Sequence, residues 1–575
     1  MTATRVSERP TARADERTIA LFVIAAAMVL SAAALLWIGR GQIVRGDQLE
    51  YATRLATQGL GHALLHTPPN KYLLAVPLAV YRVMFSLFGL GEYLPFRLVT
   101  TALVLICGAL FFALVRRQVG YLLALPPTIL MLFFGSGWEE VLTAIRLPSL
   151  IAVTCGLGAL LALERRELAW DILATVLLSV AVTSHPTGLA FTAAAALVVL
   201  LAPSPRRWQT VWVFLIPIAL FAAWYFIWRT STPSLIPNTA SDVFLFVRES
   251  WVMLSATVTG LSGVLPIPVY RQPLAEAVGA FLFAVLVVGT AMRFRRLPAI
   301  YWGALVGLLV LLISTRLTVG GFLRRPDEAR YLFPETILFL LLFAGLAAPA
   351  RLPRWVQGAV TAVLVLGLAA NVGMLVNGGD ITRSASQVTR GQLSAFRIAG
   401  DKAVPSYRPT PLDPSAGLDL AAMARFGSPA LTPPALLQAS KVTRVAADRA
   451  LVGSLGIRPQ PTQRPPNRSG TPPQVVGTAT EHATRRGGCV AITPSRGDGS
   501  GTQALVALSL PRAGAQVSSS DLSDVHLALG RFAPPAVPMP ALEGRSAILR
   551  TPLGNSTVPW KLGVASTRPV SVCGL

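Results

Sequence analysis

The sequence predicts an all-α polytopic membrane domain of about eleven transmembrane helices, followed by a C-terminal extracytoplasmic, β-rich domain. Three observations predict it. Hydrophobic residues make up 53% of the 575 residues and charged residues only 13%, with a mean hydropathy of +0.57. A soluble domain carries about 25% charged residues. Apolar runs recur along the first two thirds of the chain, each near the ~20 residues that a bilayer-spanning helix needs. Arginines gather in every second loop between those runs, as orientation by positive residues on the inner side demands. A soluble enzyme is thereby excluded for most of the chain. Disorder is excluded too, because it needs low hydrophobicity.

The expected spans are 18–38, 95–115, 119–135, 147–163, 169–184, 187–202, 209–228, 275–292, 299–316, 332–348 and 356–376. The tail 1–17 holds Arg5, Arg9, Arg13 and Arg17. The first run is long and lacks a small-residue cleavage motif at Trp37-Ile38-Gly39-Arg40-Gly41, so it reads as a retained helix and not a signal peptide. Later basic groups are Arg116–Arg117, Arg165–Arg166, Arg206–Arg207, Arg293/Arg295/Arg296 and Arg351/Arg354. With the N-terminal tail they fill six segments on one side. The reading is a multi-pass protein of the plasma membrane, N-terminus cytoplasmic and C-terminal domain outside. Residues 70–90 are apolar enough to span, but a span there would invert every later cluster. They are therefore expected as an outer-face juxtamembrane or re-entrant helix, which Pro77 and Arg82 suit. The first outer loop is then 39–94, with helical segments near 48–60 and 71–88.

The whole 18–376 forms the membrane domain. From 377 to 475, Pro-rich pieces such as RPTPLDP and RPQPTQRPPNRSGTPP read as an extracytoplasmic linker or loop-rich region. Residues 476–575 carry strand-like runs, CVAITP, QALVALSL, VHLALGRF and PVSVCGL. Cys107 and Cys155 fall inside spans and read as inert packing residues. Cys489 and Cys573 fall in the outer domain, where a disulfide is permitted.

The net charge of +23, from 50 Lys and Arg against 27 Asp and Glu, raises the question of nucleic acid. Its placement answers it: much of the excess is orientation signal, and no nucleic-acid partner is expected. A second share lies in residues 380–575, with 21 Lys and Arg against 10 Asp and Glu. That share suits membrane lipid headgroups or anionic envelope polymer.

Ionisable groups near membrane depth are costly and mark function. Asp47 follows the first span by about one turn and could serve as a general base. The ordinary alternative is a helix cap. Glu50 is the nearest second acid. Lys71, with Tyr72 beside it, could hold a phosphate as a point charge or simply snorkel. Glu139 and Glu140, with Arg146, could position an acceptor or bind a divalent cation; the plain alternative is a solvated loop. Arg324, Arg325 and Arg330, next to Tyr331, are basic on the side where basic residues are not expected, and an anionic ligand would explain them. His185, at the tip of SHPTG, is a further pocket candidate or a structural histidine. Walker, Rossmann, zinc-ligand and serine-hydrolase motifs are absent from the sequence. Chemistry outside the cell needs a donor activated and delivered by lipid.

These features together resemble the GT-C class of integral-membrane glycosyltransferases, and most closely the bacterial branch of protein O-mannosyltransferases and the aminoarabinose transferase of lipid A. The resemblance covers about residues 15–376. It rests on the early acid in GDQLEYATRLATQG, and on the Pro-Pro-led helix ending at Phe88-Gly89. It rests also on Glu92, Arg97-Leu98 and Arg116-Arg117, on the loop with Glu139 and Glu140, and on ARYLFPETILFLLLFAG. The resemblance implies inverting transfer of a sugar from a polyprenyl-phosphate donor to a cell-envelope glycan, lipid or protein. Asp47 would be the base; Lys71 and one or more of Arg324, Arg325 and Arg330 would bind the donor phosphate. Family members often place two adjacent acids in the first loop, whereas Gln48 follows Asp47 here. No metal is assigned. Two other readings stay open: a transporter or flippase of lipid-linked sugar, and a non-catalytic scaffold whose external domain binds glycan.

Overall fold

A computed structural model describes residues 10–66, 72–202, 206–228, 242–262, 273–317, 327–348, 353–411, 413–466, 469–476, 483–494, 504–552 and 558–575. The chain divides into two compact units. The first comprises Met1–Gly41, Gln58–Met84 and Tyr93–Arg383; the second comprises Gln42–Thr57, Phe85–Glu92 and Ser384–Leu575.

The first unit is helical. Eight helices are long and apolar enough to cross a membrane: Asp15–Ile38, Leu94–Val119, Tyr121–Leu142, Ala144–Leu163, Trp208–Ile227, Glu276–Arg296, Ala329–Ala347 and Gln357–Lys402. Leu168–Val182, Thr187–Leu200 and Ala299–Ser314 are apolar but shorter, and they coincide with the three remaining expected spans. Length and composition alone thus mark eight candidate spans among the described residues. Many large apolar side chains on these helices are exposed, among them Phe22, Leu30, Phe226, Phe281 and Met292. Exposed apolar surface on this scale needs lipid rather than water around it. This is a multi-pass membrane protein.

Small residues set the packing between helices, since lipid removes the hydrophobic drive for their association. Thr187–Leu200 lies close against Ala299–Leu317. A Cβ on Gly303 would meet the Ala194 carbonyl oxygen at 2.8 Å, and one on Gly307 the Ala190 carbonyl oxygen at 3.0 Å. Gly303 and Gly307, four apart, therefore let these two backbones approach. Pro77 begins the interior of the helix Ala75–Phe88, which has 14 residues and falls short of a span.

The helix Arg354–Ala399 runs for 46 residues. It crosses the expected boundary at 376, and residues 377–475 are not the loop-rich linker expected there. Helices Ala416–Phe426, Pro433–Gln438 and Lys441–Ser454 follow in the same stretch. The buried stripe of the long helix passes through Thr382, Ser386, Leu393 and Phe396. Half of those positions are hydroxyl residues, so an apolar count alone misses the helical period.

In the second unit the helix Asp47–Thr57 packs on Ala416–Phe426. Eleven strands follow among the described residues: β1 Gln460–Pro461, β2 Gln474–Val476, β3 Ala483–Arg486, β4 Cys489–Ile492, β5 Ala504–Ser509, β6 Gly514–Ser519, β7 Val525–Gly530, β8 Val537–Pro538, β9 Ser546–Arg550, β10 Lys561–Ser566 and β11 Val570–Gly574. They form one six-stranded sheet, β1-β9-β6-β11-β4-β3, and one five-stranded sheet, β2-β5-β10-β7-β8. Every pairing is antiparallel. Cys489 and Cys573 sit directly opposite each other in β4 and β11, and they are bonded as a disulfide. Asp448, on the helix Lys441–Ser454, accepts from the backbone N–H groups of Phe532 and Ala533 at 2.9 Å each and so ties that helix to the segment after β7. Burial pushes the Asp448 carboxyl up, while those backbone donors pull it back.

Candidate active site

The segment after Tyr121–Leu132 positions most of the charged candidates. It turns through Gly135–Gly137, forms the short helix Trp138–Leu142 and turns again through Ala144–Arg146 before Leu147–Leu163 begins. Gly135 is required there: a Cβ would stand 1.8 Å from the Asn371 carbonyl oxygen. Ser136 donates its backbone N–H to Asn371 Oδ1 at 2.9 Å and its hydroxyl to the Gly260 carbonyl at 2.9 Å. Asn371 Nδ2 donates to the same Gly260 carbonyl at 2.9 Å. Three segments are thereby locked together under the turn. On the far side, the Tyr81 hydroxyl donates to the Ala144 carbonyl, and the Thr143 hydroxyl donates to the Glu139 carbonyl at 2.6 Å.

This frame brings four of the expected residues together. Arg146 Nη2 stands 3.0 Å from Glu139 Oε2. Arg330 Nε stands 3.9 Å from the same carboxylate oxygen. Arg330 also pairs with Glu328, and its guanidinium lies 5.7 Å from the centre of the Tyr331 ring. All four partners, Glu139, Arg146, Arg330 and Glu328, are half-buried, so the cluster is reachable from outside yet partly shielded from water. Shielding strengthens charge-assisted bonds.

Glu139 and Glu140 differ in burial. Glu139 faces the two arginines, whereas Glu140 is 2% exposed and turned into the core. One Glu140 carboxylate oxygen meets no hydrogen-bond donor among the described residues. Consecutive residues on a helix point about 100° apart, which is why adjacency in sequence does not make a chelating pair. No group of three or more His, Cys, Asp or Glu side chains among the described residues is placed to hold a metal.

His185 and Tyr72 do meet: their rings stack edge-on with centroids 4.6 Å apart. His185 Nδ1 is 2.8 Å from the Thr187 hydroxyl, within the turn that joins Leu168–Val182 to Thr187–Leu200. Asp47 and Glu50 belong to the second unit, at the start of the helix Asp47–Thr57. Gly46, at φ +53°, turns the chain into that helix, and the amide of Glu50 returns to the Gly46 carbonyl at 3.2 Å. Both acids lie in the first turn, where the helix dipole favours negative charge. Asp47 is half-buried. Lys71, Arg324 and Arg325 lie outside the described residues.

Two acids escaped the sequence reading. Glu328, two residues before Arg330, is a direct partner of that arginine; the spacing Glu-Ala-Arg in PDEARY carries the signal. Glu335 lies in the interior of Ala329–Ala347 and is fully buried. A carboxylate within an apolar helix is itself a signal of function.

No protein-family model and no curated protein matches the chain. Solved structures similar to it include ArnT from Cupriavidus metallidurans bound to undecaprenyl phosphate, at 17% identity and a TM-score of 0.43, covering 70% of this chain and 84% of that one. They include also the Archaeoglobus fulgidus oligosaccharyltransferase in complex with Zn and sulfate, at 14% identity and 0.39, covering 64% and 55%. A third is the arabinosyltransferase EmbB from Mycobacterium smegmatis, at 12% and 0.38, covering 96% and 64%. At these scores no residue role carries across.

Proposed function

We propose that this protein transfers a sugar from a polyprenyl-phosphate donor to a cell-envelope acceptor at the outer face of the membrane, with inversion. The observation that carries the reading is the Glu139 carboxylate lying between Arg146 and Arg330, at 3.0 and 3.9 Å. Two guanidiniums converging on one anion, at the start of a helix apolar enough to cross a membrane, are what a lipid phosphate requires. A phosphate offers more charge and more acceptor oxygens than a carboxylate and would replace it there. Fixed cations at the leaving phosphate are the main electrostatic contribution to such a transfer.

In this proposal Asp47 removes the proton of the acceptor hydroxyl, and Lys71, Arg324 and Arg325 share the phosphate with Arg330. Tyr72, Tyr331 and His185 offer ring faces and polar edges to the sugar. The test is Asp47→Asn, assayed for sugar transfer from a polyprenyl-phosphate donor in membranes. Loss of a general base costs about 10²- to 10⁴-fold in rate. Full activity with normal expression refutes the assignment of Asp47. Lipid-linked sugar crossing the bilayer without transfer would favour a flippase instead.

A further inference from the structure

Two helical segments of the second unit, residues 384–399 of the long helix and Lys441–Ser454, run side by side in the same direction. The Ser440 hydroxyl donates to Gln387 Oε1 at 2.9 Å. One turn on, a Cβ on Gly391 would meet the Thr443 carbonyl oxygen at 2.4 Å and the Ala447 nitrogen at 2.9 Å, so the backbones touch there. Arg390 follows Gln387 by three residues, and Arg444 follows Ser440 by four. On parallel helices those two offsets turn to the same side at the same level, so both arginines flank one groove. Arg397 repeats Arg390 two turns on, about 10 Å along the axis. Lys441 lies one turn before Arg444.

This row lacks counter-charge. Arg390 and Arg444 are half-buried, and the Nε of each meets no hydrogen-bond partner among the described residues. Arg397 and Lys441 are exposed; Arg397 donates to the Ala430 carbonyl at 3.4 Å. In residues 384–399 and 427–454, Arg390, Arg397, Lys441, Arg444 and Arg449 stand against a single acid, Asp448. That acid is buried and held by the amides of Phe532 and Ala533. A desolvated guanidinium donor left unmade is costly, and an anion relieves it.

We propose that this groove holds the acceptor, as a polysaccharide carrying single carboxylates along its chain. The proposal rests on the transfer reading above and names the chemistry of its acceptor. Along an unbroken helix, Arg390 stands about 21 Å beyond residue 376, where the expected span ends. The headgroup layer on one side of a bilayer is only about 5–8 Å deep, too shallow for a lipid to reach it. Cations spaced along a row suit charges spaced along a chain, each guanidinium forking onto one carboxylate. Gln387 and Ser440 add an amide and a hydroxyl for sugar hydroxyls. The row is made of Arg, Lys, Gln and Ser, without the large apolar anchors of a protein partner. Its place fits an acceptor as well. The Ile43 N–H donates to Ser386 Oγ at 3.4 Å. Ser386 is one turn before Arg390, and Ile43 is four residues before Asp47, all in the same unit. A chain held at Arg390 therefore lies beside the segment that leads into the proposed base.

The test is binding of fluorescent polygalacturonate to the full chain in phosphatidylcholine nanodiscs, read by anisotropy, with neutral dextran and polyglutamate as comparisons. Polygalacturonate is expected to bind best and to weaken as salt rises. Arg390→Gln combined with Arg444→Gln should lower its affinity about tenfold or more. The exposed Lys441→Gln should lower it severalfold. Arg449→Gln, on the far face of its helix, should leave it unchanged. Equal binding of dextran, or equal or tighter binding of polyglutamate, overturns the proposal. So does full affinity in the double variant or, should that fail to fold, in Lys441→Gln. Asp47→Asn is expected to keep the polysaccharide bound while transfer is lost. Absence of binding in the unaltered protein thus refutes the groove, and transfer that survives in Asp47→Asn refutes only the base.

Discussion

Arg330 is the residue on which the proposed donor site turns. It reaches two carboxylates, Glu139 and Glu328, from the first turn of Ala329–Ala347. A charge-assisted contact is worth about 1.5–3 kcal/mol, so Arg330→Ala is expected to raise the donor KM by about tenfold to a hundredfold. Initial rates at varied donor concentration check this; an unchanged KM removes Arg330 from the phosphate site. Asp419 makes a separate prediction about stability. It is buried on Ala416–Phe426, and one of its oxygens meets no donor among the described residues. Burial, with Asp413 adding repulsion, pushes its carboxyl up to about 8. A carboxyl raised on folding favours the protonated form, so its contribution is complete below the unfolded value and is lost as pH rises toward 8. The loss is at most about 1.4 kcal/mol per pH unit. Proteolytic unfolding of the second unit across pH 4–8 should show that fall, and Asp419→Asn should flatten it.

At the scale of elements, the turn at Gly135–Gly137 determines where Glu139 points. Gly135→Ala forces a Cβ into the Asn371 carbonyl, and overpacking of this kind costs about 1–3 kcal/mol. A lowered thermal midpoint of the purified protein is the expected result; an unchanged one shows that the turn relaxes freely. The same scale divides what sequence could and could not disclose. Apolar runs gave away the helices because burial in lipid demands them. The strands with branched or large apolar residues, β4, β5, β7 and β11, were legible. β6, with GAQVSS, and β10, with KLGVAS, were not, because small and polar residues make up most of each strand. Arg354–Ala399 was legible only to 376, since beyond it hydroxyl and small residues take over much of the buried stripe.

For the whole molecule, the alternation of arginines predicts that a cysteine at 118 is labelled from the cytoplasmic side and one at 80 from outside or the interface. Labelling of 118 from outside would invert the expected orientation of the protein. Sequence by itself determined the membrane class, the order of most apolar helices, the region of strands at the C-terminus and the charged residues worth attention. Hydropathy, the number of charges and their alternation are local or additive properties, so they survive without coordinates. Tertiary structure alone decided that Glu139 pairs with Arg146 and Arg330 while Glu140 is buried, that Cys489 faces Cys573, and that Arg166 and Asp171 line one cleft. Each of these depends on which face of a helix or strand meets another, and residues far apart in the chain settle that.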